Sequence, residues 1–126
     1  MTAEALGTSI RLPATANELS VETRRVGDHT VVTVTGRVTV DSSPQLRPVL
    51  HDAIGAAPPA GVVIDFAAAR YLDTSAIATL LEAATLASKR GVRLGVIGLG
   101  GEARFVAEAT ELDHIFLGLG YEVQFA

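Results

Sequence analysis

The apolar residues change period along this chain, and that change constrains the fold more than any other feature. Val62-Val63-Ile64-Asp65-Phe66 is a short β-branched run, suited to a strand covered on both faces. Shortly afterwards Ile77, Leu80, Leu81, Ala84 and Ala87/Ser88 recur at helical spacing, which predicts a helix over residues 73–90. Lys89 and Arg90 fall in its last turn and Gly91 follows it, a C-terminal stop signal. The same switch occurs on both sides. Upstream, Leu46, Val49, Leu50, Ala53 and Ile54 form one stripe after Ser42-Ser43-Pro44-Gln45. Either Ser42 with Gln45 forms a capping box, or Ser43 caps a helix with Pro44 at its first position. Pro48 predicts a kink or a ragged start there, and Pro58-Pro59 closes the element. Downstream, Val92, Leu94, Val96 and Ile97 read as a strand, and Gly100-Gly101-Glu102 leads into a helix through Phe105, Val106 and Ala109.

The two ends complete the pattern. Leu19, Val21 and Thr23 alternate with Ser20, Glu22 and Arg24, and Gly27-Asp28 is a turn before the alternating stretch 29–35. An antiparallel hairpin is expected, with Gly36 ending or bulging its second strand. Residues 111–120 are a loop or a short helix, and residues 121–125 are a last strand. The order is ββ-αβ-αβ-αβ: an α/β single domain, a mixed central sheet of four to five strands with helices packed against it. The chain has 126 residues, enough for one domain. Residues 1–17 read as a loosely ordered tail and 18–126 as the domain.

Composition excludes several chemistries. There is no Cys, so disulfides, thiolate nucleophiles and Cys metal sites are out. The net charge is −4, which argues against the basic face a nucleic-acid binder needs. No apolar run approaches the ~18 residues of a membrane span, and residues 1–10 do not read as a secretory signal. A cytoplasmic protein with no membrane partner is expected.

Four candidate sites remain. Gly98-Leu99-Gly100-Gly101-Glu102-Ala103 fits a dinucleotide fingerprint, but it lies too near the C-terminus for a complete mononucleotide-binding half to follow. It is better read as a strand-to-helix turn. His29, His51 and His114 belong to three elements without ligand spacing, so no metal is expected. Glu108 and Glu111 lie three apart, which suits a solvated helix face, and Asp65 ends a strand. The fourth site is Tyr71-Leu72-Asp73-Thr74-Ser75-Ala76, at the start of the 73–90 helix. Asp73 or Thr74 can cap that helix, and Ser75 falls in its first turn. Gly-x-Ser-x-Gly would need glycine at 73 and 77, where Asp and Ile stand; a nucleophile elbow is therefore absent. The unpaired N–H groups and the dipole of a helix start favour a negative group, including a phosphate on Ser75. No catalytic residue and no cofactor is assigned.

The stretch from Gly36 to Leu117 resembles the anti-sigma factor antagonist family, built on the STAS domain. That family has a Gly-containing strand end, a helix, a short apolar strand, then Asp-Ser-Ser/Thr-Gly opening an apolar helix. Here the motif stands as Asp73-Thr74-Ser75-Ala76-Ile77, after Ile64-Asp65-Phe66 and Tyr71-Leu72. The stretch 92–97, then Arg104-Phe105-Val106 and residues 112–116, resemble the segments that follow. The resemblance implies that Ser75 is phosphorylated by a partner that is both anti-sigma factor and Ser kinase, with a Ser phosphatase reversing it. Two positions depart from the family: Ala76 replaces its Gly, and Thr39 stands where it tends to carry an acid, with Asp41 two residues on.

The implied binding face combines Thr39, Asp41 and Ser42 with Asp73, Thr74, Ser75 and Ala76, because loops on a rigid scaffold are the usual place for recognition. The unphosphorylated protein would bind the anti-sigma factor and release its sigma factor. Within the same resemblance stand a non-phosphorylated STAS scaffold and a lipid-transport accessory; a small nucleotide-dependent enzyme is the remote alternative. Ser75 is expected to be exposed.

Overall fold

The computed structural model describes residues 19–126; the expected tail, residues 1–17, lies outside the described residues. The hairpin forms as expected. Strands β1 (Ser20–Val26) and β2 (His29–Val38) are antiparallel and turn at Gly27-Asp28, with Val26 opposite His29. Strands β3 (Val62–Leu72), β4 (Leu94–Leu99) and β5 (Glu122–Phe125) then add in parallel, in the order β1-β2-β3-β4-β5. The sheet is therefore mixed and has five strands. Each parallel step needs a crossover. Helices α1 (Ser43–Gly55) and α2 (Thr74–Arg90) supply the first two. Helices α3 (Gly101–Ala109) and α4 (Leu112–Gly118) together supply the third.

Burial follows the pleat. Val32, Ile64 and Val96 are aligned neighbours on β2, β3 and β4, and all three are fully buried. Their sequence neighbours Thr33, Asp65 and Ile97 point the other way and are only half-buried. The expectation that residues 62–66 are covered on both faces is thus corrected: the helical layer seals one face. The stripes supply that seal. Leu46, Leu50, Ala53 and Ile54 of α1 are buried, as are Ile77, Leu80, Ala84 and Ala87 of α2. α1 packs on α2, and α2 on α4. Each fully buried Leu or Ile contributes roughly 1.5–3 kcal/mol, so these two stripes anchor the layer.

Several boundaries differ from the sequence reading. β3 runs on to Leu72, six residues past Phe66. The added stretch, Ala67 to Tyr71, has no β-branched residue and is kept extended by pairing with β2. Asp65 therefore sits inside the strand, and its carboxylate accepts from the Ala67 N–H at 2.9 Å. There the register slips: Thr33 faces Asp65 and Thr35 faces Ala68. A second slip follows Gly36, where the strand continues rather than ends. α1 is continuous through Pro48. Glu111 is not helical but joins α3 to α4 at φ 58°, so Glu108 and Glu111 do not share a helix face. Residues 112–118 settle as the short helix α4. On α3, Ala103 and Ala107 are buried while Phe105 is 72% exposed.

Candidate functional site

Parallel strands end at one edge of the sheet, and the connections leaving that edge converge. β2 delivers the turn 39–42, and β3, lengthened to Leu72, delivers Asp73-Thr74-Ser75. The two meet because Val38 and Leu72 are paired neighbours. The backbone continues the pairing by one bond, since the Asp73 N–H donates to the Val38 carbonyl at 3.1 Å.

Asp73 is the centre of the site. It is the N-cap of α2 in extended conformation, and Oδ1 accepts from the N–H groups of Ser75 at 2.9 Å and Ala76 at 3.3 Å. Of the two possible caps, Asp73 does the capping and Thr74 does not. Oδ1 also accepts the Ser75 hydroxyl at 2.5 Å. The other oxygen, Oδ2, reaches across to the Val40 N–H at 3.0 Å. One carboxylate thus ties the start of α2 to a turn 33 residues away in sequence. Partial burial pushes the Asp73 carboxyl up. The hydrogen bonds from the Ser75 hydroxyl, Ala76, Val40 and the Ser75 N–H outweigh it, and the group lies below its ordinary value.

The 39–42 turn is braced from within. Ser42 does not cap α1 with its side chain. Its hydroxyl accepts from the Thr39 N–H at 2.9 Å and donates to the Arg37 carbonyl at 3.0 Å. Neither of the two expected starts forms: the Ser42 side chain serves the turn rather than a box with Gln45, and Ser43 is the first helical residue rather than the cap, with Pro44 second, where its missing N–H leaves one donor fewer to satisfy. Thr39 Oγ1 accepts from the Asp41 N–H at 3.3 Å. Asp41 is exposed, Thr39 half-buried. Ser75 is half-buried rather than exposed, because its hydroxyl turns in to Asp73. Thr74 is exposed, whereas Ala76 is fully buried, backbone included, and its N–H is taken by Asp73; the expectation that Ala76 lies on the binding face is corrected.

A family model for the STAS domain matches residues 20–126. The chain belongs to the STAS domain family. This STAS domain shares its fold with an anti-sigma factor antagonist from Mycobacterium paratuberculosis. The TM-score is 0.75 at 20% identity, over 87% of this chain and 88% of that one. A variant of RsbS from Moorella thermoacetica superposes with TM-score 0.60 at 28% identity, over 84% of this chain and 86% of that one. The fold also matches a chain in the complex of the diguanylate cyclase SiaD with its activator SiaC from Pseudomonas aeruginosa. There the TM-score is 0.56 at 15% identity, over 93% of this chain and 99% of that one. No curated protein sequence matches significantly.

The sequence reading of this STAS domain missed Val40. It is 67% exposed in the 39–42 turn, and its N–H is the one that Asp73 of the other half holds. The available signal was a lone Val inside the polar run Thr39 to Ser43. The glycines from 98 to 101 span the step from β4 to α3: Gly98 is in the strand, Gly100 is the N-cap and Gly101 opens the helix. Gly98 has φ 82°, and a Cβ there would lie 2.6 Å from the Ala67 backbone nitrogen. Close approach of β4 to the slip in β3 therefore demands glycine. The histidines stay apart: His29 is exposed on β2, and His114 is exposed on α4. His51 of α1 faces Glu82 of α2, Nε2 to Oε1 at 3.8 Å, rather than solvent. Glu82 is held by Arg47, which donates to both its oxygens at 2.6 and 2.7 Å. Among the described residues, no helix is long and apolar enough to cross a membrane.

Proposed function

We propose that this STAS domain is an anti-sigma factor antagonist. It binds a kinase-type anti-sigma factor through residues 39–42 and 73–75 and is released when that partner phosphorylates Ser75. A Ser phosphatase restores the binding form. The reading makes the chain a cytoplasmic regulator of transcription, with no turnover, cofactor, nucleic acid or membrane of its own. The single observation that carries it is the Asp73 carboxylate, which joins Val40 and Ser75 into one surface.

The same carboxylate suggests how the switch works. Unmodified Ser75 is a donor to Asp73. A phosphate ester on that oxygen has no proton to donate and brings about −1.5 to −2 of charge against a carboxylate. On the free domain, water and the α2 N-terminus soften this repulsion. In a desolvated interface nothing does, so modification weakens binding more than folding. Asp73 then loses a donor and faces a like charge on the residue it held, which pushes its carboxylate away from the position that ties Val40. Modification thereby changes the 39–42 turn as well as Ser75.

The test is intact-mass analysis of the protein isolated from its own cells, across growth phases, with the modified residue mapped. A single phosphate on Ser75, absent in Ser75→Ala, is expected. A phosphate that maps only elsewhere, or no phosphate in any phase, would overturn the phosphoswitch.

A further inference from the structure

The two edges of the sheet are complementary to each other. One row of paired residues crosses all five strands: Arg24, Val31, Val63, Gly95 and Glu122. It begins on an exposed Arg and ends on an exposed Glu. The next row, on the helix-covered face, is Thr23, Val32, Ile64, Val96 and Val123. β1 and β5 are the outermost strands, so their outer edges pair with no strand among the described residues. Unpaired strand edges bind other strands unless something opposes it.

Charge on an edge normally opposes pairing. Here the edges differ in charge: β1 carries Arg24 and Arg25 against Glu22, and β5 carries Glu122 alone. Two β5 edges would add acid to acid, whereas a β1 edge meeting a β5 edge can set Arg24 opposite Glu122 and leave Glu22 opposite the neutral Gln124. We propose that a second copy of this chain docks its β1 on β5, continuing the sheet from one molecule to the next.

The register follows from the rows. β1 runs antiparallel to the other strands, so a sheet continued in the same sense sets it antiparallel to β5. Arg24 of the incoming copy then falls opposite Glu122, Thr23 opposite Val123, and Val21 opposite Phe125. Faces match at every step. Val21 pairs with the buried Val34 and Phe125 with the buried Leu99, so both belong to the apolar face. Beside β5 a groove of about 440 Å³ is lined by Asp113, Leu117 and Glu122. Leu117 is 72% exposed. Arg25 of the incoming strand, on the helix-covered face, reaches toward Asp113. The contact is head-to-tail and leaves a free edge at each end, so it builds open chains rather than closed dimers.

Sedimentation velocity of the full chain at low salt tests this. The weight-average sedimentation coefficient should rise with concentration and fall as salt is added. Arg24→Glu and Glu122→Arg should each weaken association by about tenfold. Both positions are exposed, so circular dichroism melts should leave the fold unchanged. Arg24→Glu combined with Glu122→Arg in one chain, or the two single variants mixed, should regain association. A chain that stays monomeric at every concentration overturns the proposal. So does self-association that neither single reversal weakens, or that the double reversal fails to restore, since another surface or partner then covers these edges.

Discussion

Replacing Ser75 by Asp is usually meant to mimic phosphate without harming the fold, and a helix start is where an acid should be welcome. An Asp in the first turn gains ~0.3–1 kcal/mol from the dipole. The geometry reverses that expectation here. The Ser75 hydroxyl donates to Asp73 Oδ1 at 2.5 Å, so a carboxylate at 75 starts out aimed at another carboxylate. At about 4 Å two like charges repel by ~1 kcal/mol in water and ~4 kcal/mol at an effective dielectric of about 20. A half-buried side chain that can swing outward should stay near the lower end. Ser75→Ala loses one hydrogen bond to a charged group, about 1 kcal/mol or less where water can replace it. The Asp73 cap keeps its other three donors. The expected order of stability at pH 7 is parent, then Ala, then Asp, with Asp about 1 kcal/mol below Ala. For a domain of this size that is roughly 4 °C in melting temperature. The gap should close on acidification, as a carboxyl of the pair takes up a proton and the like-charge repulsion ends. Thermal melts of the three proteins across pH decide it. If Asp melts at or above Ala at pH 7, the side chain at 75 does not face Asp73 and the switch argument fails with it.

Asp73→Ala should lose the α2 cap and the Val40 tie, about 1–2 kcal/mol. Asp73→Asn should lose about half of that, because an amide still caps but cannot accept from both sides. The Asp73 pKa lies below its ordinary 3.8, so the folded state binds the proton less readily. Its stabilisation is complete above that value and is lost as pH falls through the folded-state pKa. Denaturant midpoints of the parent and Asp73→Asn should therefore converge on acidification, and a constant gap would count against the assigned bonds. Gly98→Ala should cost about 1–3 kcal/mol, since φ 82° is strained and the new Cβ meets the Ala67 nitrogen. Gly101 also has a positive φ, 55°, but nothing within 4 Å of its Cβ position; Gly101→Ala carries the strain without the clash and should cost less, and equal midpoints for the two would refute the close-approach account.

What this chain encodes locally could be read from it. Period and punctuation lie within a few residues of each other, so the hairpin, the two long helical stripes, the Gly91 stop and the Asp-Thr-Ser helix start all stood in the sequence. So did the STAS-type order of elements. What lay beyond the sequence depended on segments far apart along the chain. Ala67 to Tyr71 carry little strand preference, and they are extended because β2 pairs with them. Ser42 reads as a cap, but the Arg37 carbonyl and the Thr39 N–H compete for its hydroxyl. Either acid or hydroxyl before α2 could have capped it. The choice of Asp73 went with the return of β3 beside β2, which set the Val40 N–H within reach of the second oxygen. A hydrogen bond needs its partners within about 3 Å, and for residues 33 apart that distance is set by where the crossover brings the chain back.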